Sequence, residues 1–114
     1  MYVYDAKVVR VIDGDTAVLD IDLGFKLTMQ GEIVRFYGIN APESRTTNLD
    51  EKKRGMASKE FLKSILHPGD SVLLQSNLFN KRGKYGRTVG TIIANGKNIN
   101  ELMVSEGYAV HKEY

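Results

Sequence analysis

Thr16 to Leu23 reads TAVLDIDL, a run in which Ala17, Leu19, Ile21 and Leu23 fall on one side of an extended chain and Asp20 and Asp22 on the other. A period of two commits this segment to a sheet with one dry face and one wet face. Upstream, Tyr4 to Ile12 is rich in valine, and Asp13-Gly14-Asp15 separates the two runs as a turn or bulge. Downstream, Glu32 to Ile39 reads as a third strand reached through Gly24 and Gly31. A three-stranded antiparallel meander is the economical reading of residues 4–39.

The period changes after that. From about Asp50 to Leu66, Met56, Phe61, Leu62, Ile65 and Leu66 recur at helical spacing between lysines, and His67-Pro68-Gly69-Asp70 ends the helix. Ser71 to Leu74 and Arg87 to Ala94 read as two further strands, with Asn95-Gly96 a strong hairpin turn signal. A last short helix, Asn100 to Glu106, holds Leu102 and Met103 and stops at Gly107. No repeat, linker or low-complexity segment interrupts the pattern. The order three strands, helix, two strands, helix predicts an α+β, mainly β fold, and fits a small closed barrel better than a parallel sheet.

A chain of 114 residues is the size of one hydrophobic core, so a single domain over residues 1–114 is expected. With 42% hydrophobic and 26% charged residues, the composition favours neither a disordered nor a fibrous class. Sixteen basic and fourteen acidic residues leave a formal charge of +2, too small to diagnose a polyanionic partner, so local placement has to decide. The absence of cysteine excludes disulfide staples and cysteine-ligated zinc. MYVYDAKVVRVIDGD enters the strand pattern without a basic and apolar leader, and no run approaches membrane-spanning length. A soluble monomer is the expectation, in a compartment that the pattern does not set.

The chemistry lies where the strand pattern is broken. In VRFYGINAPES, residues 34–44, Val34 and Phe36 share one strand face while Arg35 projects from the other, towards a possible cleft. Asp13 and Asp15 stand at the end of a neighbouring strand, Glu43 follows the third strand, and Lys84-Tyr85-Gly86-Arg87 leads into the fifth. Two arginines and two or three carboxylates can therefore meet at one mouth of a barrel. Such a set suits phosphodiester hydrolysis: a hard cation on carboxylate oxygens, a carboxylate to activate water, and guanidiniums to neutralise phosphoryl oxygens. Arginine suits phosphate better than lysine because its planar fork donates two hydrogen bonds together.

Other polar residues take simpler readings. Asp20 and Asp22 form a solvated strand face, His67 a helix terminus near free carbonyls, and Glu51-Lys52-Lys53-Arg54 the wet first turns of a helix. Met56, Leu102 and Met103 are expected in the core. Lys81, Arg82 and Lys84 form a basic loop that serves either solubility or the steering of a polyanion.

Four motifs stand in order along the chain: Val11-Ile12-Asp13-Gly14-Asp15-Thr16; Arg35 with Gly38-Ile39-Asn40-Ala41-Pro42-Glu43; Lys84-Tyr85-Gly86-Arg87; and Asn100-Glu101-Leu102 with Glu106-Gly107-Tyr108-Ala109. Together, over about residues 5 to 112, the chain resembles the staphylococcal nuclease (thermonuclease) family. The resemblance implies a five-stranded OB-type Greek-key barrel with two or three helices. It also implies a calcium-dependent nuclease that cleaves DNA and RNA, single-stranded or frayed, with little sequence specificity and leaves 3′-phosphate ends.

Carried over residue by residue, Asp15 matches the metal-binding aspartate, Arg35 and Arg87 the phosphate-binding arginines, and Glu43 the general base. Asp13 matches a supporting aspartate, Tyr85 a tyrosine beside the terminal phosphate of a bound nucleotide, and Lys84 a nucleic-acid contact. Asn40 stands where many members carry a second metal-binding aspartate. Its amide oxygen can still ligate a hard cation, here one Ca2+, but with one negative charge fewer. The sequence stops at Tyr114, short of a further helix that the family packs on its barrel. A competing reading is a non-catalytic OB-type module that binds nucleic acid or protein. The retained Arg35, Glu43 and Arg87 favour the enzyme, because binding alone needs no carboxylate beside a scissile phosphate.

Overall fold

In a computed structural model, which describes residues 2–76 and 88–112, the alternating segment forms strand β2 (Thr16–Gly24) between β1 (Tyr2–Asp13) and β3 (Leu27–Phe36). It is antiparallel to both. Two positions decide how the meander folds back. Phe25 and Lys26 carry the reversal with φ of 53° and 64°, the left-handed pair of a tight hairpin turn. Gly31, at φ 66°, is an extra residue inside β3, and its amide donates to Asp20 Oδ1 at 2.8 Å.

The third strand therefore starts earlier than the glycines suggest and ends at Phe36 instead of Ile39. Gly38, at φ 80°, turns the chain out of the strand. Ile39–Asn40 then becomes a separate short strand, β4.

Helix α1 (Leu49–Ile65) follows, capped by Asn48, whose side-chain oxygen accepts from the Glu51 amide at 3.1 Å. Strands β5 (Ser71–Ser76) and β6 (Thr88–Ala94) come next, and the Asn95-Gly96 turn leads into β7 (Lys97–Asn98) as its sequence predicts. Helix α2 (Ile99–Ser105) and the short β8 (Val110–His111) complete the order. Strand β8 pairs with β4 through Ile39↔His111 and Asn40↔Val110.

Strand β1 pairs with β2 on one side and β5 on the other, β5 pairs with β6, and β6 returns to β3 in parallel through Val34↔Thr88, Arg35↔Val89 and Phe36↔Gly90. Five strands thus close into a ring, in the α+β, mainly β class that the pattern predicts. Closure leaves the inward faces to pack on one another. Ala17, Leu19, Ile21, Val34, Phe36, Leu74 and Ile92 are buried there, and Leu62, Leu66 and Met103 from the helices close the ends. Each large side chain so buried contributes about 1.5–3 kcal/mol.

Three expectations about single residues change. Leu23 shares the face of Ile21 but is 42% exposed, because pairing with β1 ends at Ala6↔Ile21 and the hairpin runs on without a layer beneath it. Met56 is 41% exposed, since at 100° per residue it lies about 200° around α1 from the buried Ser58. His67 meets the Asp70 carboxylate instead of free helix carbonyls: its amide donates to Oδ2 at 2.9 Å, and its ring Nδ1 lies 3.5 Å from the same atom. Asp20 and Asp22 lie on the solvent side as read, and each accepts a backbone amide of the hairpin, from Gly31 and Gly24 respectively.

Candidate active site

Arg35 owes its position to strand alternation. Val34 and Phe36 are buried in the ring, so Arg35 points outward from β3, directly across from Thr16 of β2. The turn residue before Thr16 is Asp15, and the chain after Gly38 folds back to place Asn40 on the far side of the guanidinium. Arg35 Nη1 lies 3.3 Å from Asp15 Oδ2, and Arg35 Nη2 donates to Asn40 Oδ1 at 3.0 Å. One cationic head thus joins a carboxylate and an amide oxygen from two separate segments.

The side chains of Arg35 and Asp15 are only 12% and 10% exposed, so both charges are largely withdrawn from water and depend on their hydrogen bonds. Those bonds are present. Asp15 Oδ1 accepts from Thr16 Oγ1 at 2.8 Å, Oδ2 accepts from the Ala41 amide at 2.9 Å, and Arg35 Nη1 donates to the Phe36 carbonyl at 3.2 Å. The Asp15–Ala41 bond ties the β1–β2 turn to the segment that carries Asn40 and Glu43.

Glu43 lies on the irregular stretch between β4 and α1 and is exposed. Its backbone amide donates to Glu51 Oε2 at 3.3 Å, while Ser44 Oγ makes a short hydrogen bond to Asp13 Oδ1. Asp13 therefore supports the loop and does not join Asp15 at Arg35. Beside the loop opens a cleft of about 660 Å³, bordered by Asn40, Glu43, Arg54, Ser58, Tyr108 and Val110 among others. Glu43 and Asn40 share this border, and Asn40 links it to Arg35.

Asp15, Arg35 and Asn40 are thus brought together, Glu43 lies on the adjoining rim, and Asp13 acts one step back. Lys84, Tyr85 and Arg87, with Lys81 and Arg82, lie outside the described residues. Among the described residues, no three His, Asp or Glu side chains gather into a metal-binding group. Asp15 and Asn40, the two residues expected to ligate a cation, both face the Arg35 guanidinium.

Several supporting residues show what they do only in the fold. Asn100, in the first turn of α2, is 2% exposed; its Oδ1 accepts from the Ile92 amide at 3.1 Å, and its Nδ2 donates to the carbonyls of Tyr37 at 2.9 Å and Gly90 at 3.2 Å. It fastens the end of β3 to β6 just before the chain turns towards Asn40. Ser44, Glu51 and Gly55 belong to the same group of hidden supports.

Residues 33–114 match the model of a protein family described as staphylococcal nuclease homologue. A thermonuclease of Staphylococcus hyicus is 31% identical over 108 residues, which cover 95% of this chain and 59% of that protein. Endonuclease YhcR of Bacillus subtilis (strain 168) is 34% identical over 113 residues, 93% of this chain and 9% of its own length. An uncharacterized protein of Bacillus anthracis is 38% identical over 104 residues, 91% of this chain and 45% of its own length. The chain spans less than two thirds of each of these relatives.

Proposed function

Because this chain belongs to the family of staphylococcal nuclease homologues, we propose that it is a nuclease, hydrolysing phosphodiester bonds of DNA and RNA with little sequence specificity, dependent on calcium and leaving 3′-phosphate ends. The observation that carries the reading is the meeting of Asp15, Arg35 and Asn40, the last of which borders the same cleft as Glu43. The nuclease names of two relatives support it.

A single divalent cation would be held by Asp15 and Asn40. The donor set fits a hard ion: both are oxygen ligands, and both already face one cationic group, the Arg35 guanidinium. When bound, such an ion supplies Lewis-acid polarisation of a phosphoryl oxygen and a template for the substrate.

The protein's own residues do the rest. Glu43, whose carboxylate has no hydrogen-bond partner among the described residues, accepts a proton from the attacking water. As the new P–O bond forms, the bond from phosphorus to the 5′-oxygen breaks, that oxygen takes a proton from solvent water, and the phosphate stays on the 3′-oxygen of the other fragment. Arg35 and Arg87 donate to the phosphoryl oxygens as these gather charge, and Lys84 and Tyr85 contact the flanking phosphate. Contacts of this kind read phosphate and not base, which accounts for low sequence specificity. The substrate we propose is a single or frayed strand, and the acting species a monomer.

The test is cleavage of single-stranded DNA by the purified protein with calcium, then with a chelator. Arg35→Ala is expected to lower turnover on the order of a hundredfold. Glu43→Gln should lower turnover while nucleotide binding in the presence of calcium changes much less. Absence of cleavage with every divalent cation at mildly alkaline pH overturns the nuclease; DNA binding without cleavage would indicate the non-catalytic module.

A further inference from the structure

We propose that helix α1 sets the position of the general base by gripping the Glu43 backbone, with Glu51 and Gly55 as positioning residues. The proposal rests on the nucleolytic reading of Glu43, and it concerns how that carboxylate is aimed.

Glu43 is exposed and lies outside any strand or helix, a poor place for a group that must meet a water molecule within hydrogen-bond reach. Its backbone, however, is held at successive points. The Ala41 amide is bound by Asp15, the Glu43 amide by Glu51, and the Ser44 hydroxyl by Asp13. Two of these three anchors come from the β1–β2 turn. The third comes from the first turn of α1, where Asn48 fixes Glu51 by capping its amide.

Gly55 supplies the steric half of the grip. It is buried in mid-helix, where glycine ordinarily weakens a helix relative to alanine, so its presence calls for a packing reason. A Cβ on Gly55 would lie 2.2 Å from the Glu43 carbonyl oxygen and 2.6 Å from the Ser44 nitrogen. Those distances are roughly 1 Å or more inside van der Waals contact. The atoms met are backbone, which cannot rotate away as a side-chain end would. The Glu43–Ser44 peptide therefore rests directly on the helix, and only glycine lets it approach so closely. Glu51 holds the Pro42–Glu43 peptide through its amide and the bare Cα of Gly55 supports the next peptide, Glu43–Ser44, so the backbone on both sides of the Glu43 Cα is fixed.

The test combines kinetics on single-stranded DNA with an amide probe that needs no activity. Gly55→Ala should push the Glu43 peptide outward and lower kcat by roughly ten- to a hundredfold, the scale of an ångström-sized misplacement, with KM within about twofold. Glu51→Ala should lower kcat by about tenfold, and Glu51→Gln, which keeps an oxygen acceptor at the same reach, should recover most of the loss. In hydrogen exchange followed by NMR, protection of the Glu43 amide should fall in Glu51→Ala and persist in Glu51→Gln. Unchanged kcat in Glu51→Ala and Gly55→Ala, or equal exchange of the Glu43 amide in wild type and Glu51→Ala, overturns the grip. An inactive wild type would instead count against the nuclease, and the exchange result would still decide the grip.

Discussion

Asn40 is the residue at which the chemistry of this site turns. Its Oδ1 accepts from Arg35, which is also paired with Asp15, so a carboxylate and an amide oxygen share one monovalent cation. Replacing Asn40 by Asp adds a negative charge there. A divalent ion gains about twice as much from that charge as the guanidinium does, because Coulomb energy scales with the product of charges. Asn40→Asp should therefore tighten calcium, with a dissociation constant roughly tenfold lower by calorimetry. An unchanged or higher constant would place Asn40 away from the ion. This cluster is legible in the sequence, because Asp15, Arg35 and Asn40 each sit in a short motif with a chemical reason for its residue types. Among its supports, Asp13 and Asn100 stand in motifs of the sequence, but the partners they hold do not show. Asp13–Ser44 and Asn100–Tyr37 join positions 31 and 63 residues apart, and nothing local to either partner marks the bond.

Among the elements, turns show what separates the legible from the hidden. Asn95-Gly96 has φ of 52° and 76° and carries the residues that tolerate a left-handed pair, so the β6–β7 hairpin could be read directly. Phe25-Lys26 adopts the same kind of pair with residues that disfavour it, and Phe25 is 98% exposed, so no packing compensates. That is why the glycines on either side drew the expected turn away from its place. The mismatch makes a prediction about stability. Phe25→Asn with Lys26→Gly should relieve two unfavourable backbone conformations and raise the unfolding free energy by about 1 kcal/mol in urea titrations. A loss of stability would mean that Phe25 makes a contact its exposure does not suggest. The β4–β8 pair was hidden for another reason: two residues on each side carry too little pattern to announce a strand.

At the scale of the molecule, the site exists only when the strand ring and α1 are docked together. Asp13 and Asp15 come from the β1–β2 turn, Arg35 from the strand that closes on β6, Asn40 and Glu43 from the crossing segment, and Glu51 and Gly55 from the helix. Leu62 holds that helix on the ring; it is wholly buried and belongs to the same core as Phe36 and Met103. Leu62→Ala removes most of this side chain at a place where backbone on both sides is fixed, so it should lower the unfolding free energy by about 2–5 kcal/mol. Because the variant touches no proposed site residue, turnover in the absence of denaturant should stay near that of the wild type. The informative comparison is between two midpoints in urea, one from far-UV circular dichroism and one from cleavage of single-stranded DNA. If ring and helix unfold as one unit, both midpoints fall together in Leu62→Ala. Cleavage lost well before the dichroism would show instead that α1 undocks by itself, and that the site opens at a lower cost than the fold.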